Sequence, residues 1–216
     1  YSTDTNFRPV DLEFAPDCSL YVVDWHNALI GHRQHNARDP NRDHVHGRIY
    51  RITYPGRPLV KPAKIVGASI PELLENLRLP ELRTRYRTRR ELRARQPNHV
   101  AQAAKKWANE QKDDRLKLEA LWVSWGVDRL NKELLIELLD SKDYRVRAAA
   151  VQVLRNNFFN FENEQELLMK AAQDGHGRVR IAAATSASHL SPKEGLPIVN
   201  AVIKTGIGKD YEVSLN

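Results

Sequence analysis

A tripeptide that occurs twice is the strongest constraint on this chain. Arg145-Val146-Arg147 returns as Arg178-Val179-Arg180, 33 residues on. Apolar or small residues accompany the first copy at Val146, Ala149, Ala150, Val153 and Leu154. They accompany the second at Val179, Ala182, Ala183, Ala187 and Leu190. That is the i, i+3, i+4, i+7 stripe of a helix buried along one face. The alanines allow a neighbouring helix to approach closely. Asp143 and Asp174 stand just before the two segments, where a carboxylate can cap free N–H groups and meet the positive end of the helix dipole. Looser copies lie at 114–125, with Leu118, Leu121, Trp122 and Trp125, and at 82–95. A two-helix unit of this length cannot cover its own apolar face, so such units stack into an α-solenoid. Residues 71–216 are therefore expected to hold roughly four helix pairs and the start of a fifth near Pro197. Residues 57–70, with Pro58, Pro62 and Gly67, read as a linker into a first helix at Pro71, a residue favoured in the first turn.

The first 56 residues follow another period. In 7–14, Phe7, Val10, Leu12 and Phe14 are apolar between Arg8, Asp11 and Glu13, the alternation of a half-buried strand. Ala15-Pro16-Asp17-Cys18-Ser19 is a turn by its Pro and Asp. Residues 20–25 and 47–54 are a second and a third strand, and Pro55-Gly56 closes the unit. This is an antiparallel meander of about 48 residues, the size of one β-propeller blade. A lone sheet of this size leaves one apolar face uncovered. It must pack on further blades, on the helices that follow or on another chain.

Between the second and third strands lies a polar loop, 26–46, with His26, His32, His35, His44 and His46. A loop this long in a compact domain is functional or disordered; Trp25 and the lack of low complexity favour an ordered one. Its residues allow four readings. Arg8, Arg38 and Arg42 offer forked donors for an anionic cofactor or substrate. Asp39, Asn41 and Asp43 have the spacing of a calcium loop, but His44 replaces the turn glycine and Tyr50 the bidentate Glu. His32, His35, His44 and His46 are able to ligate a transition metal or move protons, though their spacing fits no metal pattern. The fourth reading is an ordered loop held by its own Asp–Arg and His–backbone hydrogen bonds.

Composition narrows the classes. The net charge is +7 over 216 residues, which suits an acidic partner, an anionic surface or nucleic acid. Much of the excess lies in Arg83–Arg95, seven arginines with one interleaved aromatic, Tyr86. A single-strand nucleic-acid surface shows more aromatics, so this run reads as the outer face of an amphipathic helix, with some arginines paired to Glu81 and Glu91. Trp107, Trp122 and Trp125 read as solenoid core. The single cysteine, Cys18, excludes an internal disulfide and a multi-cysteine zinc site. No Cys-x-x-Cys-His is present, so no c-type haem attaches within this sequence. No apolar run is long enough to span a membrane. Both ends look cut, as in a piece of a longer protein.

The helical segments resemble HEAT repeats, on the Asp followed by Arg-Val-Arg and Ala-Ala. The N-terminal segment is similar to a terminal propeller blade of a narrower family, the large putative membrane-bound dehydrogenases of planctomycetes and verrucomicrobia. The residues that carry this are Phe7-Arg8-Pro9-Val10-Asp11, Ala15-Pro16-Asp17, Leu20-Tyr21-Val22-Val23-Asp24-Trp25, Gly31-His32, Arg38-Asp39-Pro40-Asn41-Arg42-Asp43-His44 and His46-Gly47-Arg48-Ile49-Tyr50-Arg51-Ile52. The family usually has glycine where Cys18 stands, which bears on the turn geometry. Its members resemble quinoprotein sugar dehydrogenases in their propeller, followed by HEAT repeats and usually a cytochrome c module.

The fold implied is mainly α: a HEAT-like α-solenoid preceded by a small antiparallel β-meander like one terminal blade. The resemblance further implies a periplasmic or cell-envelope location, and pyrroloquinoline quinone and calcium as cofactors of the full-length protein. Its implied partners are the remaining blades, a cytochrome c module and a protein on the HEAT surface. On a propeller, Arg8 and the loop 26–46 would meet on the ligand face. That makes His32, His35 and His44 the catalytic candidates, Arg8, Arg38, Arg42 and His46 the cofactor-binding ones, and Asp39, Asn41 and Asp43 the metal-binding ones. One blade without haem could not complete the redox chemistry alone. The alternative is a non-catalytic HEAT-repeat scaffold for protein–protein interaction.

Overall fold

The computed structural model of the chain describes residues 2–28 and 39–206. The chain divides into two compact units, Tyr1–Lys64 with Leu79–Tyr86, and Ile65–Arg78 with Arg87–Asn216.

The first unit holds an antiparallel sheet of β1 (Pro9–Phe14), β2 (Leu20–Asp24) and β3 (Arg48–Ile52), in the order β1-β2-β3. The expected meander is present. The first turn is closed by hydrogen bonds from the Ala15 N–H to the Ser19 carbonyl and from the Cys18 N–H to the Ala15 carbonyl, both 2.9 Å. Cys18 takes φ +64°, the left-handed conformation that completes a hairpin of this kind and that glycine adopts without strain. The turn keeps the geometry that glycine would give it, with a cysteine bearing the cost.

Period-two alternation and the observed register fix the two faces. Leu12, Val22 and Tyr50 stand abreast, as do Phe14, Leu20 and Ile52. Those six apolar side chains form one face. Only Val22, at its centre, is buried; Leu12, Phe14, Tyr50 and Ile52 are all exposed. Phe7 meets Tyr50 edge-on at 5.8 Å. Arg83 at the start of a following helix pairs with Glu13 at 2.5 Å.

Nine α-helices follow among the described residues: α1 (Ile70–Asn76), α2 (Leu82–Arg93), α3 (Pro97–Asn109), α4 (Asp114–Gly126), α5 (Lys132–Leu139), α6 (Tyr144–Arg155), α7 (Glu164–Ala172), α8 (Gly177–Ala187) and α9 (Pro192–Gly206). A capping box starts α1. The Glu72 carboxylate accepts from the Ser69 N–H at 2.7 Å while the Ser69 hydroxyl accepts from the Glu72 N–H, satisfying two N–H groups the helix leaves open. Within the second unit, α1 packs on α3, and α3/α4, α5/α6 and α7/α8 form successive pairs. The second helices α4, α6 and α8 pack on one another in turn, and α9 closes against α7 and α8. Leu73, Leu77, Leu92, Val100, Leu121, Leu135, Ala150, Val151, Leu154, Leu168 and Ala183 lie in one continuous core with no exposure. The repeated stripe is the part of α6 and α8 that supplies it.

Two expectations about helix starts need correction. Asp143 does cap α6, accepting from the Arg145 N–H at 2.8 Å. Asp174 does not cap α8; the ring Nδ1 of His176 does, accepting from the Arg178 N–H at 3.1 Å. Asp174 lies two residues upstream of that cap, and its carboxylate instead takes the His176 N–H and the guanidinium of Arg147 from the preceding pair, the latter at 2.7 and 2.8 Å. The last helix does not begin at Pro197. It begins at Pro192, with Ser191 and Glu194 bonded to each other at the cap, and carries Pro197 inside. Gly195 permits this packing: a Cβ there would lie 2.6 Å from the Ala187 carbonyl oxygen.

Candidate functional site

The polar residues of the first unit gather at one end of its sheet. By strand parity Asp24 belongs to the apolar face with Leu20 and Val22, and it is buried, with its carboxylate fully enclosed. Three donors hold it there: the Arg8 N–H at 2.7 Å, the His26 N–H at 2.9 Å and Arg48 Nε at 2.8 Å. Burial by itself would raise its pKa. The two backbone N–H groups and the guanidinium outweigh that and hold it below the usual carboxylate value. Arg48 also reaches Asp4 at 2.8 Å, so the start of the chain, the end of β2 and the start of β3 are tied into one network.

A second cluster lies beside it. Asp43 Oδ2 is 2.9 Å from His46 Nδ1 and 3.6 Å from His26 Nε2. The two rings stand edge-on, 6.4 Å apart. The Asp43 carboxylate also accepts from the Val45 and His46 N–H groups, the largest cause holding its pKa far below the usual range, with His46 adding to it. It therefore stays ionised at any physiological pH. A carboxylate fixed on Nδ1 orients the His46 ring, whose side chain is 71% exposed, and directs Nε2 away from it. His26 sits at φ +55°, a conformation a non-glycine residue holds only when its surroundings impose it, and its Nδ1 is enclosed without a hydrogen-bond partner. Asn27, also buried, donates to the Asp43 carbonyl at 3.3 Å. Trp25 is exposed and carries the Arg42 guanidinium 5.4 Å above its ring.

The structure brings some of the sequence candidates together. Arg8 does reach the start of the loop, but its guanidinium donates to the carbonyls of Phe7 and Ala28, at 2.8 and 3.2 Å, rather than presenting an open fork. Arg42 is engaged over Trp25. Asp39 is turned into its own turn, accepting from the Asn41 N–H at 2.9 Å, and Asp43 into the contacts above. Asn41 and His44 are exposed. His32, His35 and Arg38 lie outside the described residues. Among the described residues no three His, Cys, Asp or Glu side chains converge as a metal cluster. Arg8 commits two of its five guanidinium N–H groups to the Phe7 and Ala28 carbonyls, and a contact to the face of a ring leaves the Arg42 N–H groups in place.

Sequence reasoning did not take Asp24, Arg48 or His26 as site residues. The signal was in the parity: Asp24 and Arg48 share the alternation of Val22 and Tyr50, so both were due on the apolar face, where a charge needs a partner.

The arginines of 83–95 are largely engaged. Arg85 donates to the carbonyls of Leu79 and Pro80, Arg89 to Glu119, and Arg95 to Glu91 and the Ala68 carbonyl. Glu81 serves the backbone, accepting from the Arg83 N–H. Trp107 is buried and donates to Glu75 at 2.6 Å; Trp122 and Trp125 pack partly buried against the core.

No curated protein matches the chain, and no solved structure does. Residues 1–56 match a family described as a domain of unknown function (DUF7133). Residues 132–209 match HEAT repeats, in keeping with the stacked helix pairs seen there.

Proposed function

We propose that the chain is a docking scaffold for other proteins, with the β-meander as a second module that completes a larger sheet assembly. The observation that carries this is the solenoid itself: stacked helix pairs with a continuous core bury their structural residues and leave an extended outer surface for a partner. No described helix is long and apolar enough to cross a membrane. The test is cross-linking of the purified chain to cell-envelope extract, with mass spectrometry of the linked peptides. Recurrent links to one partner through the exposed residues of α4 to α8 are expected; their absence under conditions where the chain is folded would sink the reading.

A second, finer reading is favoured by the sheet. Its uncovered apolar face fits the stacking of one propeller blade on the next, and its polar end carries an oriented, exposed imidazole at His46. On that reading the chain is the blade-to-HEAT junction of a periplasmic, quinoprotein-like dehydrogenase. The first unit contributes to the active face and the solenoid docks the electron acceptor. Elemental analysis and absorbance spectra of protein from the complete reading frame decide it: calcium, a quinone and haem are expected. A preparation without all three refutes the dehydrogenase reading and leaves the scaffold intact.

A further inference from the structure

The basic excess of this chain sits almost entirely on one short stretch. Residues 83–95 hold seven arginines and one glutamate, a net +6 of the chain's +7. The rest of the sequence is close to neutral, so the charge is a local feature of α2 and the residues after it.

The structure sorts these arginines into two sets. Arg83 pairs with Glu13. Arg85 is committed to the Leu79 and Pro80 carbonyls, Arg89 to Glu119, and Arg95 to Glu91 and the Ala68 carbonyl. Arg87, Arg90 and Arg93 are exposed, and no other position from 87 to 93 is. Thr88 and Leu92 are buried on the opposite side of the helix. The side chains of Arg87 and Arg93 form no hydrogen bond or ion pair among the described residues. The one carboxylate of the stretch, Glu91, is held by Arg95. Three residues apart, the exposed arginines rise about 4.5 Å per step and span about 9 Å.

Like charges this close weaken a helix, so the row costs stability until a counter-charge meets it. Every cation in 83–95 is arginine, whereas lysine holds exposed positions of other helices, such as Lys105, Lys132, Lys170 and Lys193. A guanidinium is less strongly hydrated than an ammonium and holds a carboxylate or phosphate through two parallel bonds. The length and make-up of the row select among anions. Duplex recognition draws on roughly six or more phosphate contacts, and single-strand binding on stacked aromatics; this row is three cations long with no exposed aromatic between them. A lipid surface takes apolar side chains on the same helix face, and none is exposed from 87 to 93. Carboxylates three and four residues apart on a partner helix repeat at about 4.5–6 Å, which matches the spacing of the forks.

We propose that the Arg87, Arg90 and Arg93 row is a docking strip for an acidic helix of a protein partner that presents carboxylates at successive turns. The strip lies outside the α4 to α8 surface on which the scaffold reading is tested, so the two can fail separately.

The test uses the full chain and a labelled helical peptide whose glutamates stand three and four residues apart, with glutamine at the same places as its control. Binding is followed by fluorescence anisotropy and by NMR of the arginine Nε–H resonances. The glutamate peptide is expected to bind saturably, more weakly as salt rises, and to shift Arg87, Arg90 and Arg93; the glutamine peptide is expected not to bind. Arg87→Gln with Arg93→Gln, both at exposed helical positions, is expected to weaken binding about fivefold. Arg87→Lys with Arg93→Lys keeps the charge but loses the fork, and its affinity is expected to fall between. Lys142→Gln with Lys193→Gln removes the same charge from other exposed positions and is expected to leave binding unchanged. No saturable binding of the glutamate peptide overturns the strip, as does an equal loss in the Lys142 and Lys193 control. Tighter binding of oligothymidylate, or of phosphatidylserine vesicles, than of the glutamate peptide overturns the protein occupant. Cross-links through α4 to α8 bear on the scaffold alone.

Discussion

Replacing Asp174 with alanine tests how successive repeats are held in register. Its carboxylate receives Nε and a terminal nitrogen of Arg147 at 2.7 and 2.8 Å, and the His176 N–H at 2.8 Å. The Arg147 and Asp174 side chains are 18% and 13% exposed, so solvent screens the pair weakly. Removing the acid leaves a largely enclosed guanidinium with only the Ser141 and Lys142 carbonyls to accept from it. Breaking a fully buried pair costs about 3–5 kcal/mol; residual exposure and the surviving carbonyl bonds bring the expectation to about 2–3 kcal/mol. In a chain of this size that is a fall in Tm of roughly 4–12 °C. Burial by itself would raise the pKa of Asp174; the Arg147 guanidinium and the His176 N–H outweigh it, so the folded value lies below the unfolded one. The stabilisation is therefore fully present above the unfolded carboxyl pKa of about 4 and is lost as pH falls through the folded value. The assay is thermal unfolding by circular dichroism at pH 7 and in acid, for Asp174→Ala, Arg147→Ala and the double variant. At pH 7 the double variant should lose less than the sum of the singles, and the gap between wild type and Asp174→Ala should narrow in acid. A loss under about 0.5 kcal/mol, or strict additivity, would refute the inter-repeat rung.

Three further outcomes follow from particular contacts. Asp24→Asn keeps the shape but removes the charge that Arg48 and two N–H groups share, so about 2 kcal/mol should be lost, with faster hydrogen exchange at the Arg8 and His26 amides. Cys18→Gly relieves a left-handed cysteine, worth about 1–2 kcal/mol, while the freer unfolded chain returns about 0.5–1 kcal/mol; the net effect in urea unfolding should be zero to slightly stabilising, and Cys18→Val should be clearly destabilising. Gly195→Ala forces a methyl against the Ala187 carbonyl, so α9 must shift, at a cost of about 1–3 kcal/mol, read as a lower Tm and as earlier proteolysis near α9.

The solenoid was legible because its signal is redundant. The same apolar spacing recurs at Val146 and Val179, and a motif that repeats can be checked against itself. The helix starts were less so: Asp143 and Asp174 look equivalent in the sequence, yet only the first abuts its helix. In the 33-residue register His176, not Asp174, stands at the position of Asp143, so an imidazole takes the cap and the carboxylate goes to Arg147. The meander was readable from alternation, but the polar end of its sheet was only partly so. Attention fell on the histidines and arginines of the loop, whereas Asp24 and Arg48 are set by strand parity and cross-strand register. Arg8 shows what residue type alone leaves out: its guanidinium also ties the loop's start down, through the backbone carbonyls of Phe7 and Ala28.

Val22 is the one large apolar side chain of the first unit that is buried among the described residues. Little hydrophobic gain is therefore available to order those strands in isolation. Expressed by itself, the segment 1–64 should behave as an unfolded or sticky polypeptide, a ready target for proteases and for edge-to-edge aggregation. In the cell that dependence would act as quality control, since copies that fail to find the surface they lean on would be cleared before they accumulate.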